Sequence, residues 1–280
     1  MEDFIMLKRY QLSLILGLFS AFFALALLAP KNPQISPFYG SNLAQELAAD
    51  RQAVHDEALA HIKADFAVSE DLWQEFMGDY QAKVASDDLR GISLKWTHIN
   101  TEPIVAAARK ALQEYGINPE RVVIKLVNSS DTPAQAIQSL ANDGTIIHSI
   151  ELDLYRLNKL SFSVQEALLR HEIMHLLNYD SLEGSYIITM LYKLGYSAQQ
   201  LEKKPAMIAY RHQRELRADL LAGCDHPEVA QSLQEYFASY MKITDQDNQK
   251  LWTTHPSDKQ RHEQLAQLLT TMGAPSTSIA

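Results

Sequence analysis

His171-Glu172-Ile173-Met174-His175 is the stretch of this sequence that decides the expected fold and chemistry. Residues four apart on a helix lie on the same face, so the two histidines can bind one metal ion together. The glutamate stands beside the first histidine, where a carboxylate can take a proton from water at the metal. The stretch therefore predicts a zinc-binding helix that also carries a general base. The alternative is that the two histidines merely share a solvated helix face.

The flanking residues predict where this helix begins and ends. Ser163 and Glu166 are three residues apart and fit a capping box, with the serine as N-cap. Apolar residues recur between positions 167 and 177 and supply enough surface to bury the helix. Asn178 marks its expected end.

Composition and charge narrow the class of protein. The chain has 280 residues, of which 46% are hydrophobic, and this is ample for a core. The formal net charge of −9 argues against nucleic acid as a partner, because nucleic-acid binding needs a basic face. The single Cys224 excludes an internal disulfide framework and a zinc site built from several cysteines. We expect this cysteine to be a small buried residue.

The N-terminal segment, residues 1–30, is expected to be a signal anchor or a signal peptide. Lys8 and Arg9 precede an apolar run over residues 12–29, whose length fits either a membrane-spanning helix or a long signal-peptide core. In both cases the positive flank stays in the cytoplasm. We expect a membrane-anchored protein with its catalytic domain on the extracytoplasmic, periplasmic side. The alternative is secretion to the periplasm after cleavage near Ala26.

Three further segments follow in the expected organisation. A Pro/Gly/Ser-rich linker covers residues 31–42, and an N-terminal helical region covers residues 43–98. Residues 99–280 form the domain that carries the histidine motif.

Within residues 99–280 the pattern predicts helix, strand, strand and then the metal helix. The first helix runs from Pro103 to Tyr115, and the strands cover residues 121–127 and 145–150. Later helices are expected at residues 205–223, 225–241 and 256–269. Three histidines outside the motif are expected to have no role in the site. We expect His55 and His61 to lie on the surface, and His148 to be partly exposed in a strand.

A catalytic zinc site needs a third protein ligand, which must come from elsewhere in the chain. Glu215 lies 40 residues after the second motif histidine, and Asp219 follows it on the same helical face. The glutamate can bind the metal while the aspartate accepts a hydrogen bond from a metal-bound histidine. His212 is a rival third ligand, and a salt-bridged surface is the simpler alternative for both acids.

A family resemblance rests on these motifs together with a late segment. The H-E-x-x-H stretch, Glu215-x-x-Ala218-Asp219, and then His255-Pro256 with Arg261 are similar to the gluzincin metallopeptidase family of the CAAX-prenyl proteases and the HtpX heat-shock protease. The similarity covers roughly residues 100–270 and points to a single-anchor or periplasmic member. Members often carry Asn-Ala between the two strands, where this chain has Gln135-Ala136.

The resemblance implies an α+β, predominantly helical fold, with a zincin-like metallopeptidase domain whose small β-sheet lies beside the metal helix. It implies one Zn²⁺ per chain, with Glu172 as the base and Asp219 as a support for a histidine ligand. It also implies that His255 and Arg261 border the cleft, where they support a ligand or contact substrate, the transition state or the metal. The zinc ligands that it implies are His171, His175 and Glu215.

The expected function is zinc-dependent endopeptidase activity on protein or peptide substrates in envelope protein quality control. Zinc would activate a water molecule and Glu172 would act as general base. The partners are these substrates and, through the N-terminal segment, the membrane. The alternative function is an exported, zinc-binding, chaperone-like or interaction module whose site is closed and non-catalytic. The oligomeric state and the cleavage preference are not predicted.

Overall fold

The computed structural model describes residues 41–91, 102–128, 132–241 and 255–274, which belong to one compact unit spanning residues 34–280. The apolar run at residues 12–29 and most of the linker lie outside the described residues. Among the helices that are described, none is both long and apolar enough to cross a membrane. The described chain is mostly helical with one small sheet, which confirms the expected α+β, predominantly helical class.

Ten α-helices, three strands and one short 3-10 helix at Pro119–Arg121 make up the described secondary structure. The helices are α1 (Asn42–Asp65), α2 (Glu70–Ser86), α3 (Pro103–Glu114), α4 (Leu154–Leu157), α5 (Phe162–Leu177), α6 (Asp180–Lys193), α7 (Ala198–Lys203), α8 (Pro205–Gly223), α9 (Pro227–Met241) and α10 (Asp258–Thr271). The strands are β1 (Val122–Val127), β2 (Ala134–Leu140) and β3 (Ile146–Asp153). These bounds confirm the helices and the two strands expected after residue 99, to within a few residues at their ends.

The sheet has the order β1-β3-β2, so β2 is an edge strand. Strands β1 and β3 are parallel, whereas β2 and β3 are antiparallel. Gly144, with a φ of 82°, lies in the tight turn that joins β2 to β3. Strand β2 was not expected from the sequence, because its polar Gln135 and Gln138 interrupt the apolar pattern.

Helix α5, which carries the histidine motif, is the centre of the larger apolar core. Eleven of its 16 residues are buried, the motif histidines among them. The helix packs against the edge strand β2 and against α3, α8 and α9. Because α5 is enclosed on all these sides, its histidines do not lie on a solvated face. The alternative that the two motif histidines merely share a solvated helix face is therefore excluded.

The start of α5 differs from the expected one. Its N-cap is Ser161, whose extended backbone places the hydroxyl to accept from the Val164 amide at 3.4 Å, whereas Ser163 lies inside the first turn. The side-chain amide of Gln165 donates to the carbonyl of Leu157 at 3.0 Å and so ties the preceding turn to the helix. The prediction therefore placed the N-cap two residues too far toward the C-terminus. The expected end at Asn178, which is the C-cap, is confirmed.

Two histidines that were expected to be exposed are buried instead. His55 bonds through Nε2 to Glu183 Oε2 at 2.8 Å, and His148 bonds through Nε2 to Asp87 Oδ2 at 2.7 Å. Each finds a buried carboxylate from a distant part of the chain, which offsets the cost of burying an imidazole. The prediction for His61 is confirmed, since its side chain is 66% exposed.

Candidate metal centre

Three ligand atoms from two helices converge at one point. Helix α5 brings the Nε2 atoms of His171 and His175 to 3.0 Å from each other, because the two residues are one helical turn apart. Helix α8 brings Glu215, whose carboxylate oxygens lie 3.4 Å from each of these nitrogens. The three residues expected as zinc ligands are thus brought together.

The spacing of these atoms fits a zinc ion. Ligand atoms at 2.0–2.1 Å from a tetrahedral centre are about 3.3 Å apart, and the observed separations of 3.0 and 3.4 Å are close to this. Two imidazoles and one carboxylate are also the donor set of many catalytic zinc sites. The donors therefore fit zinc in both chemistry and geometry.

The two histidines are oriented by buried aspartates on their far sides. His171 Nδ1 lies 2.9 Å from Asp219 Oδ1, and His175 Nδ1 lies 2.6 Å from Asp180 Oδ2. Each Nδ1–H donates to a carboxylate, and this fixes the tautomer in which Nε2 carries a lone pair. The two Nε2 atoms then point at the same space, where a proton or a metal ion can be held between them.

The electrostatics of the cluster also favour a positive charge at its centre. Burial alone would lower the pKa of His175, but the carboxylates of Glu215 and Asp180 outweigh it and raise this pKa to about 10. Burial would raise the pKa of Glu215, yet the two histidines hold it well below its usual range. The pKa of His171 is also raised against the effect of burial, mainly by the charge of Asp219. The centre is thus built for a cation.

Asp219 is held by Arg261 from helix α10. The guanidinium donates to both carboxylate oxygens, from Nε at 2.6 Å and from Nη2 at 2.7 Å, and its Nη1 lies 3.5 Å from Glu215. The same guanidinium lies 4.1 Å from the ring centroid of Phe237. Arg261 therefore connects the expected supporting aspartate with the expected third ligand, which agrees with a supporting role beside the cleft.

Asp180 was missed in the sequence, and it is fully buried. Arg217 donates to its Oδ1, and Arg214 lies 3.7 Å from the same oxygen through Nε. These cations and His175 hold the pKa of Asp180 far below its usual range, although burial acts in the opposite direction. The residue before it, Tyr179, has a left-handed backbone with a φ of 55°, and this turn starts α6 so that the aspartate faces α5.

Glu172 lies beside the metal ligands but contacts the sheet. Its Oε2 accepts a hydrogen bond from the backbone N–H of Ala136 at 2.7 Å. Among the strands that the structure describes, β2 has a neighbour only on the β3 side, so this N–H belongs to its free edge. The bond fixes the expected base between the histidines and the strand on which an extended peptide can pair.

The three expected ligands, Glu172 and Arg261 line one cleft of about 680 Å³. Its walls are the β2 edge, the metal helix, the α8 residues Arg214 and Glu215, and the aromatic side chains of α9. His255 lines this cleft, with its Nε2 3.7 Å from Glu215 Oε2. Burial lowers the pKa of His255, so it is neutral near pH 7. His212, the rival ligand, is not part of the cluster.

Comparisons of the chain with protein-family models, with curated proteins and with solved structures find no match. The gluzincin resemblance therefore stays a prediction from the motifs.

Proposed function

We propose that this protein is a zinc-dependent endopeptidase of gluzincin type. The observation that carries the proposal is the meeting of His171, His175 and Glu215 at ligand distances beside Glu172, in a cleft that is lined by a free strand edge. A zinc site that is open on one side needs three protein ligands and a nearby base, and these four residues supply both.

Each residue has a defined part in peptide hydrolysis. Zinc, when bound by the three ligands, would polarise the scissile carbonyl and lower the pKa of water to about 7. Glu172 takes the proton of the attacking water and delivers it to the leaving amine. Asp219 and Asp180 keep the two imidazoles in the tautomer that binds metal.

The cleft suits an extended peptide. Pro133–Ala136, at the start of β2, line the cleft with the strand edge that faces away from β3, and the Ala136 N–H on this edge is bonded to Glu172. A peptide that adds to this edge places its carbonyl groups at regular intervals of about 3.3 Å, and one of them can face the metal. Protein and peptide segments in extended form are therefore the proposed substrates.

The test combines zinc content with the cleavage of casein. We expect about one zinc per chain in the wild type and in a Glu172→Gln variant, but a loss of cleavage of at least about a hundredfold in the variant. Glu166→Gln is the matched control, since it is the same change on the same helix outside the cleft. If Glu172→Gln cuts casein at the wild-type rate, the proposal is wrong.

The second candidate is an exported, zinc-binding, chaperone-like or interaction module. His255 supports it, because a fourth protein ligand would close the site and this imidazole is 3.7 Å from Glu215. Zinc in the wild type with no cleavage of casein, and cleavage still absent after His255→Ala, would favour this candidate over the endopeptidase.

The cellular location of the protein is also part of this proposal. The apolar run at residues 12–29 supports a membrane anchor, or a signal peptide that is cleaved near Ala26, with the described unit outside the cytoplasm in both cases. Such a location agrees with a role in envelope protein quality control. N-terminal sequencing of the mature protein distinguishes the two forms.

A further inference from the structure

The metal helix α5 is joined to α6 by two residues, Asn178 and Tyr179. Asp180, whose carboxylate orients His175, is the first residue of α6, so the conformation of this short link decides where the carboxylate lies. Tyr179 has a φ of 55° and a ψ of 30°, a left-handed conformation that a residue with a side chain adopts only at a cost. Contacts with the rest of the fold must therefore hold Tyr179 in place.

The side chain of Tyr179 makes these contacts. It is buried, and its hydroxyl donates to Asp87 Oδ2 at 2.9 Å. Its ring also meets the ring of His148 edge to face, with 5.8 Å between the two centroids. Asp87 is the C-cap of α2 and stands 92 positions before Tyr179 in the sequence. The end of an N-terminal helix thus holds the turn that places Asp180.

Asp87 is itself fixed as a hydrogen-bond acceptor. His148 Nε2 lies 2.7 Å from its Oδ2, and Arg121 Nη2 donates to its Oδ1 at 3.0 Å. Only 3% of the Asp87 side chain is exposed. Burial acts to raise the pKa of Asp87, but the hydrogen bonds from His148 and Tyr179 and the charge of Arg121 hold it below its usual value. The carboxylate is therefore ionised at neutral pH and accepts from its neighbours.

The same cluster also holds the last turn of the metal helix. The side-chain amide of Gln138 lies 3.2 Å from His148 Nδ1 and donates to the carbonyl of Leu176 at 2.9 Å. Leu176 follows His175 directly in α5. The group that joins the end of α2 to the end of α5 is named the carboxylate clamp, and its members are Asp87, Gln138, His148 and Tyr179.

We infer that Asp87 and Tyr179 are positioning residues of the metal centre, because the carboxylate clamp holds Asp180 against His175. The inference rests on the zinc site of the proposed function. Neither residue lines the cleft, so both act through Asp180 and not on the substrate. Groups that orient a metal-bound imidazole contribute to metal affinity, and a group that orients the carboxylate should do so to a smaller extent. Zinc affinity and ligand geometry should therefore depend on a hydrogen bond made outside the cleft.

The test removes the hydroxyl of Tyr179 alone. Tyr179→Phe keeps the buried ring but loses the bond to Asp87, and we expect zinc binding to weaken about fivefold, as measured by competition with a chromophoric chelator. The matched control is Tyr186→Phe, because Tyr186 also donates its hydroxyl to an aspartate of α2, Asp79, at 2.6 Å but lies outside the cleft. This control should change the affinity less than about twofold.

Cobalt(II) in place of zinc gives a second readout, because its visible absorption bands depend on the geometry of the ligands. We expect the bands to differ from those of the wild type in Tyr179→Phe and in Asp87→Asn, but not in Tyr186→Phe. A role in fold stability alone would leave the bands of every folded variant unchanged. If Asp87→Asn does not fold, Tyr179→Phe decides the question.

The possible failures are distinguishable. A zinc affinity and a cobalt spectrum of Tyr179→Phe that equal those of Tyr186→Phe overturn the positioning role and leave the endopeptidase intact. Zinc binding that depends on Tyr179, in a wild type that does not cleave casein, overturns the endopeptidase and supports the positioning role. A wild type that binds no zinc overturns both.

Discussion

His171 and His175 present the same atom to the same point, but different parts of the molecule hold them there. On the His171 side, Asp219 of α8 is clamped by Arg261 of α10, so its support comes from the C-terminal part of the chain. The expected zinc ligand Glu215 shares this arginine. On this side, Arg261 therefore connects the supporting Asp219 with the expected ligand Glu215.

The His175 side depends on the first helix of the described chain. Asp180 receives its charge partners from α8, and one of them, Arg217, donates to Gln52 of α1 at 3.4 Å. One turn further along α6, Glu183 bonds to His55, which is also on α1.

This difference shows that helix α1 contributes to the candidate metal centre, although the sequence placed it in a region before the expected metallopeptidase domain. Helix α1 packs along α8, which carries the expected third ligand Glu215. Metal binding and the packing of the N-terminal helix should therefore be coupled on the His175 side more than on the His171 side.

The largest expected effect comes from removing one aspartate at a time. Asp180→Ala removes the fully buried carboxylate that faces Arg217 and Arg214, and we expect the free energy of unfolding of the zinc-free protein to fall by about 3–5 kcal/mol. Asp219→Ala should cost at least about 1 kcal/mol less, because Arg261 keeps Glu215 within 3.5 Å. Urea unfolding followed by circular dichroism measures both. Equal losses, or a larger loss for Asp219→Ala, would remove the difference between the two sides.

Milder changes should affect zinc binding on both sides alike. Asp180→Asn and Asp219→Asn keep the shape but remove the charge that makes each imidazole basic, so we expect each to weaken zinc binding about 10- to 100-fold. Competition with a chromophoric chelator gives the two affinities. Glu166→Gln, on the metal helix but outside the cleft, serves as the control and should change the affinity less than about twofold. An unchanged affinity in Asp180→Asn would mean that this aspartate only stabilises the fold.

The parts of the site that the sequence predicted are those that depend on helical spacing. His171 with His175, and Glu215 with Asp219, are each four residues apart in one helix, and this spacing holds wherever the helix lies. The end of the metal helix at Asn178 was also predictable, as was the burial of Cys224.

The parts that were missed depend on turns and on distant contacts. Asp180 reaches His175 only because Tyr179 adopts a left-handed backbone, which no periodicity indicates. The buried roles of His55 and His148 come from carboxylates 128 and 61 residues away in the sequence. Tertiary contacts of this kind leave no local pattern, so a sequence alone predicts the ligands better than their supports.

A change on helix α1 tests the coupling directly. His55 lowers the pKa of Glu183 against the effect of burial, so this pair stabilises the fold above the unfolded pKa of about 4.3 and loses that contribution as the pH falls below it. His55→Gln should cost about 1.5 kcal/mol at pH 7 and raise the pH at which acid unfolds the protein. Circular dichroism across pH 2–7, a range chosen to span about two units on either side of that pKa, gives the midpoint.

The matched control for this change is His61→Gln on the same helix, where the side chain is 66% exposed. It should leave the acid midpoint where it is in the wild type. If the two variants behave alike, α1 does not support the His175 side through Glu183, and the proposed coupling is lost.

The smallest expected effect comes from the helix that both histidines share. Ser161→Ala removes the N-cap of α5 and should lower the free energy of unfolding by about 1 kcal/mol, whereas Ser163→Ala should change it by less than about 0.5 kcal/mol. Thermal unfolding of the two variants measures the difference. Both histidines lie more than two turns from this cap, so zinc affinity should change less than about twofold in either variant. A loss of affinity in Ser161→Ala would show that the shared helix, and not the separate aspartates, limits how well the two imidazoles are placed.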